Sequence, residues 1–343
     1  MISITGNMKH LQYILLMTVI VLLAACSQDV AEEPQQPVVQ EPDATLRLAG
    51  VTRALTDEAE YSDIRFFLTE GTTATEGLFK YAGASAWTTQ LKLKSGARTY
   101  QLYGYMPDNA DFVRSISDWN ENGAVLHIQQ LPPMTEQDYC IVTGVRQAAD
   151  ENDKTSAVRG AFSFEYDSQR ENYINLFMDH LYSRVKFSMR VGDEYNEVRT
   201  IKIKSMKLQL ADISHYNVDI TLTKDVGISS VSHSSVPGTG TRELTLRDED
   251  DGVITLTTTS TEIASGYILP ATSLFGKLSL VIEYDIYDKR GNKISERTAE
   301  NSLAYPLDEL QRGEERTLQI NIDPSYLYDL SLDDPPIVVI RGS

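Results

Sequence analysis

Ile201-Lys-Ile-Lys-Ser-Met-Lys-Leu-Gln-Leu210 decides the fold class. Apolar and polar residues alternate along it, which sets one face on a core and the other in water, the signature of a half-buried β-strand. The same period recurs on both sides. Upstream it appears in Ala44–Gly50, Leu91–Lys94, Tyr100–Tyr105, Val125–Ile128, Ala161–Tyr166 and Arg184–Val191. Downstream it appears in Asp219–Leu222, Glu243–Leu246, Val253–Leu256, Lys277–Tyr287 and Arg316–Ile322. Turn residues punctuate these runs at Pro107-Asp-Asn, Pro237-Gly, Asp251-Gly and Arg290-Gly-Asn. No long stretch holds a helical period; short helical turns are expected only near Ile174–Tyr182 and Pro306–Leu310. The chain is therefore expected to be all-β, built from pairs of packed antiparallel sheets. No short internal repeat suggests a solenoid or a propeller.

The amino terminus sets the compartment. Leu11–Ala25 is apolar except for Gln12, Tyr13 and Thr18, long enough for a signal-peptide core and short for a bilayer span. Met8-Lys9 makes a better signal start than Met1. Leu23-Ala24-Ala25-Cys26 resembles the lipobox of bacterial lipoproteins, which implies a lipid-modified Cys26 after removal of residues 1–25. A plain secretory signal or an uncleaved anchor would leave Cys26 incidental. Several acyl chains hold a protein firmly on a bilayer, at about 0.8 kcal/mol per buried methylene. Residues 26–43, with Pro34, Pro37 and Pro42 among Glu and Gln, read as an acidic tether that cannot bury enough surface to fold.

Charge and cysteine content exclude several roles. The full chain carries a net charge of −18, and loss of the signal removes Lys9 and no acid. That excess argues against nucleic acid and against direct adsorption to anionic lipid. Of two cysteines, only Cys140 lies beyond Cys26. No intramolecular disulfide is available to the mature chain, and Cys140 reads as a small buried hydrophobe. His127, His180, His215 and His233 are scattered without metal-ligand spacing, and no CxxC, GxSxG, P-loop or dinucleotide fingerprint is present. A Cys–His nucleophile pair has nothing in the sequence to support it. Asp248-Glu-Asp-Asp-Gly has the start of a calcium loop but Thr259 where the bidentate acid belongs, so it reads as a solvated turn. No cofactor is expected, and the chain does not read as an enzyme.

About 300 residues after the tether favour two domains, 44–175 and 176–343, divided near residues 170–180. Arg53-Ala54, just after the first strand, reads either as an ordinary turn with a solvated arginine or as a site for an Arg-specific protease.

Several segments together resemble the fimbrillins of Bacteroidetes, the subunits of type V pili. They are the lipobox, the acidic tether, Phe177-Met-Asp-His-Leu-Tyr-Ser-Arg-Val-Lys-Phe-Ser-Met, Gly266-Tyr-Ile-Leu-Pro, and Leu310-Gln-Arg-Gly-Glu-Glu-Arg-Thr-Leu-Gln-Ile-Asn-Ile. The resemblance implies two transthyretin-like β-sandwich domains in tandem and a surface-exposed lipoprotein of the outer membrane. It implies cleavage between Arg53 and Ala54, with loss of the first strand and its lipid. Leu46 and Leu48, and by alternation Ala44, would leave a groove that a strand of another subunit refills. The donor would be a carboxy-terminal strand, here within 327–341 and centred on Ile337, Val338, Val339 and Ile340. Pro335 and Pro336 interrupt that donor, which suits a minor, anchor or tip subunit as well as a shaft subunit. The partners implied are other pilin subunits in a head-to-tail polymer and the membrane through Cys26. A host surface protein or glycan is a further expected partner. The alternative is a monomeric surface lipoprotein that binds glycan or protein, with Trp87, Trp119 and tyrosines lining its site. A β-sandwich hydrolase with paired carboxylates ranks last.

Overall fold

The computed structural model describes residues 44–53, 61–95, 98–166, 171–322 and the backbone of 337–339. Cys26, Ala54 and Ile340 lie outside the described residues. The first half contributes β1 (Ala44–Arg53), β2 (Ile64–Glu70), β3 (Thr73–Gly83), β4 (Ala86–Thr88), β5 (Lys92–Leu93) and β6 (Thr99–Met106). It continues with β7 (Val113–Asn120), β8 (Gly123–Leu131), β9 (Met134–Thr135), β10 (Cys140–Ala148), β11 (Ser163–Glu165) and β12 (Asn172–His180). After it come β13 (Ser183–Val191), β14 (Arg199–Thr223), β15 (Gly227–Arg247), β16 (Ile254–Thr255), β17 (Thr261–Ile268) and β18 (Leu278–Asp288). The last strands are β19 (Lys293–Ser302), β20 (Glu315–Ile322) and β21 (Ile337–Val339). Two short helices, α1 (Asp193–Val198) and α2 (Thr272–Phe275), interrupt them. The protein is all-β.

The strands form three sheets around two principal cores. One sheet runs β4-β3-β2-β6-β10-β12-β1-β5, with β11 on β6. It encloses the smaller core, which includes Leu46, Phe66, Phe79, Trp87, Ile174 and Leu176. The other two sheets, β21-β20-β13-β17-β9 and β19-β18-β14-β8-β7 with β15 and β16 on β14, both feed the larger core. That core includes Leu126, Val185, Phe187, Leu208, Ile282 and Leu318. Among the described residues from Leu181 onward, the buried hydrophobic side chains belong to it.

Several expectations are corrected here. Most ladders are antiparallel, but β1–β12, β13–β20 and β20–β21 are parallel. The strands around the smaller core form one continuous hydrogen-bonded path. Ile174–Tyr182 is not helical: β12 fills most of it, lying between β10 and β1 with nearly every side chain buried. Burial on both faces erases alternation and leaves an apolar run that periodicity cannot tell from a buried helix. Pro237-Gly238 is not a break between strands. It sits inside β15, which pairs only with β14, at a register shift opposite Ile213. An edge strand tolerates a proline there because the missing N–H faces no partner.

The division at residue 175 falls within β12. The β7–β8 hairpin joins the later strands, with Ile128 opposite Val218 and Leu126 opposite Ile220. The described residues fall in one compact unit.

Candidate functional site: the first strand and its slot

The alternation Leu46-Arg47-Leu48 makes β1 a strand and directs both leucines inward, to 0% and 7% exposure. The strand lies in the interior of its sheet. Its inner edge runs parallel to β12, from Leu46 opposite Asn172 to Arg53 opposite Met178. Its outer edge meets β5 in antiparallel sense at Ala44–Leu93 and Thr45–Lys92, and Leu46 N–H donates to Leu91 O at 3.2 Å. Ala49, beside the register shift between Leu48 and Gly50, is also buried, at 2% exposure, but in a separate small cluster with Ala148 and Tyr173. Gly50 sits at a close approach, since a Cβ there would stand 3.0 Å from Asn175 Oδ1.

Side chains pin the strand along its length. Arg47 pairs with Glu171 at 3.2 Å, donates to Tyr173 Oη at 3.3 Å and stacks on the Tyr173 ring. Lys154 Nζ donates to Ala49 O. The loop that carries Lys154 is organised by Asp153, which accepts from Ala149 N, Thr155 N and Arg146. The hydrogen bonds that Asp153 accepts hold its carboxyl well below the usual carboxylate range. At the far end Arg53 Nη2 lies 3.4 Å from Met106 Sδ, and its guanidinium sits over Tyr61. Tyr61 packs with Tyr81 and Trp87 in a three-ring cluster with centroid separations of 5.1–6.0 Å.

Beyond Leu46 the outer edge of β1 borders a groove of about 500 Å³ lined by Thr45–Ala49 and Ala84–Thr89, with Lys154 and Tyr173 also on its wall. Fully burying a leucine stabilises by about 1.5–3 kcal/mol. Emptying the slot would therefore remove several kcal/mol of burial and leave the β12 edge unpaired.

The remaining expected residues fall as follows. Arg53 is the last residue of β1, half-buried, rather than a solvated loop arginine. Ile337–Val339 form β21, which adds in parallel to the edge of β20 with Gln319 opposite Ile337. Trp87 is buried in the smaller core and donates to Ser62 O, while Trp119 donates to Gly71 O. Asp248–Gly252 is an exposed capped turn. Cys140 is fully buried.

No protein-family profile matches the chain, and no curated protein matches it. Solved structures do. A fimbrial protein from Bacteroides vulgatus is similar over 80% of this chain and 95% of its own, at 12% identity and a TM-score of 0.37. The fimbrial anchor protein Mfa2 from Porphyromonas gingivalis is similar over 81% of this chain and 91% of its own, at 10% identity and a TM-score of 0.30.

Two constellations escaped the sequence reading because cross-strand register, not spacing, assembles them. Ser117, His127 and Asp219 meet across β7, β8 and β14, with His127 Nε2 2.9 Å from Ser117 Oγ and Nδ1 2.7 Å from Asp219 Oδ1. The Ser117 hydroxyl also lies 3.1 Å from Asp118 Oδ2, so two acceptors compete for its proton. The second joins Asp138, Cys140 and His180, because Cys140 stands opposite His180 in the β10–β12 ladder.

Proposed function

We propose that this chain is a subunit of a cell-surface pilus of the fimbrillin type, and that β1 is a temporary occupant of a slot that a neighbouring subunit fills later. The observation that carries this reading is the placement of β1: an interior strand, with Leu46 and Leu48 buried, both of whose neighbours come from later in the chain. A break between Arg53 and Ala54 would leave it held only by non-covalent contacts. Each buried backbone group left unpaired costs about 1–3 kcal/mol, so an emptied slot favours any strand that restores the ladder.

The replacement strand would run parallel to β12, as β1 does, and present apolar residues where Leu46 and Leu48 stood. Residues 327–341 supply a candidate, of which Ile337–Val339 already add in parallel to a sheet edge in their own chain. Head-to-tail exchange of this kind does not close and builds filaments. In this reading the signal peptide is cut before a lipidated, palmitate-bearing Cys26, and the chain reaches the outer membrane as a surface lipoprotein. Processing at Arg53 then frees it from the lipid. Its role is structural and adhesive rather than catalytic.

The amino-terminal residue of the protein isolated from the cell surface tests this reading. Free Ala54 in polymeric material is expected. Lipidated Cys26 on every molecule, polymeric fractions included, would contradict processing at Arg53.

A further inference from the structure

The Asp138–Cys140–His180 cluster lies where β10 begins and β12 ends. Its donor atoms converge: Cys140 Sγ is 3.3 Å from Asp138 Oδ2 and 3.6 Å from His180 Nδ1, and Nδ1 is 2.5 Å from the same carboxylate oxygen. Cys140 is 0% and His180 7% exposed, and the side chains of Asp138 and His180 are each 8% exposed. Despite this burial the cluster is incompletely satisfied. Asp138 Oδ1 and His180 Nε2 have no hydrogen-bond partner among the described residues.

We infer that Asp138, Cys140 and His180 form a binding site for a borderline-soft divalent cation, of which Zn²⁺ is the natural occupant. The donor set of one thiolate, one imidazole and one carboxylate is wrong for Ca²⁺ or Mg²⁺ and right for zinc. The spacing agrees. Zinc bonds of about 2.3 Å to sulfur and about 2.0 Å to nitrogen and oxygen give tetrahedral edges of about 3.5 Å from sulfur and about 3.3 Å between the lighter donors. The two sulfur edges already lie within a few tenths of an ångström of this. The Nδ1–Oδ2 edge, now a direct hydrogen bond, must open to admit the metal. Charge also balances, since a dication with a thiolate, a carboxylate and a neutral imidazole is neutral overall.

On metal binding the Cys140 thiol proton leaves to solvent, the imidazole proton moves from Nδ1 to Nε2, three metal–ligand bonds replace the S–H and the N–H···O hydrogen bond, and a water completes the tetrahedron. Burial and Asp138 hold the thiol up, while Arg53 acts in the opposite sense. The neighbouring carboxylate is not a competitor: Asp179 is engaged by Arg159 Nε and Nη2 at 2.7 and 2.5 Å. Arg312 fixes the His180 backbone through its carbonyl at 2.9 Å.

The test uses the full chain without an affinity tag and with Cys26→Ser, so that Cys140 is the only thiol. It is titrated with Co²⁺ and then Zn²⁺. The expected result is one Co²⁺ per chain with a near-ultraviolet sulfur-to-cobalt charge-transfer band and tetrahedral visible bands, both abolished by an equivalent of Zn²⁺. The band is lost in Cys140→Ser, and affinity falls at least tenfold in His180→Asn. The cobalt spectrum of the unsubstituted cluster decides the matter even where a variant folds poorly. Folded protein that takes up no Co²⁺, or takes it up without a thiolate band, overturns the inference.

Discussion

The first and last described strands, β1 and β21, each run parallel to one neighbour, β12 and β20, yet they are held very differently. β1 has ten residues, partners on both edges and leucines at 0% and 7% exposure. β21 has three residues and one partner, and it ends its sheet. Removing the first opens the interior of a sheet, whereas removing the last exposes an edge. A slot and a loosely added strand at opposite ends of one chain are complementary parts, and the proposed polymer follows from joining them between copies.

The largest effect that would sharpen this contrast is on stability. Leu46→Ala should cost about 2–5 kcal/mol in urea unfolding, as for other truncated core leucines. Deleting residues 323–343 should cost clearly less in the same measurement. Equal losses would erase the difference between slot and edge. Gly50→Val should come next, at about 1–3 kcal/mol, because its Cβ meets Asn175 Oδ1 and the Lys154 side chain at 3.0 and 3.4 Å. Hydrogen exchange of the β1 amides should rise with it.

Sequence patterning exposed β1 and hid the strand it docks on, for one physical reason. Leu46, Arg47 and Leu48 alternate because only one face of β1 meets the core. Asn172–His180 does not alternate because sheet and core cover it on both faces. The same holds for β2 and β10, whose continuous burial left no period to read. Arg53 was visible as a basic residue before a small one. That it is a half-buried strand end over Tyr61 depends on contacts made by residues far along the chain. The Asp138–Cys140–His180 cluster had no signal at all, since its members are joined by ladder register across forty positions.

Smaller effects probe the clamps on β1. Arg47→Ala removes a surface pair with Glu171 and should cost about 0.2–1 kcal/mol, with faster exchange at the amino-terminal end of β1 and little change at β21. The smallest effect is in acid. Asp153 has a carboxyl pKa depressed in the folded state by the hydrogen bonds it accepts. Its contribution is therefore present above the unfolded carboxylate pKa of about 3.9 and is lost as pH falls from there toward the folded value. Asp153→Asn should flatten the acid limb of a pH–stability curve and leave the neutral region parallel to that of the unsubstituted chain.

The most direct test of the slot is limited digestion of the folded precursor with an Arg-specific protease, followed by mass spectrometry and size-exclusion chromatography. The account predicts first cleavage at Arg53–Ala54 and departure of residues 44–53 only as polymers form. Arg53→Ala should remain intact at that bond and monomeric. A chain cut at Arg53 that sheds β1 and stays a folded monomer, or that keeps β1 while polymerising, would contradict the claim that this strand holds the place of a neighbour's.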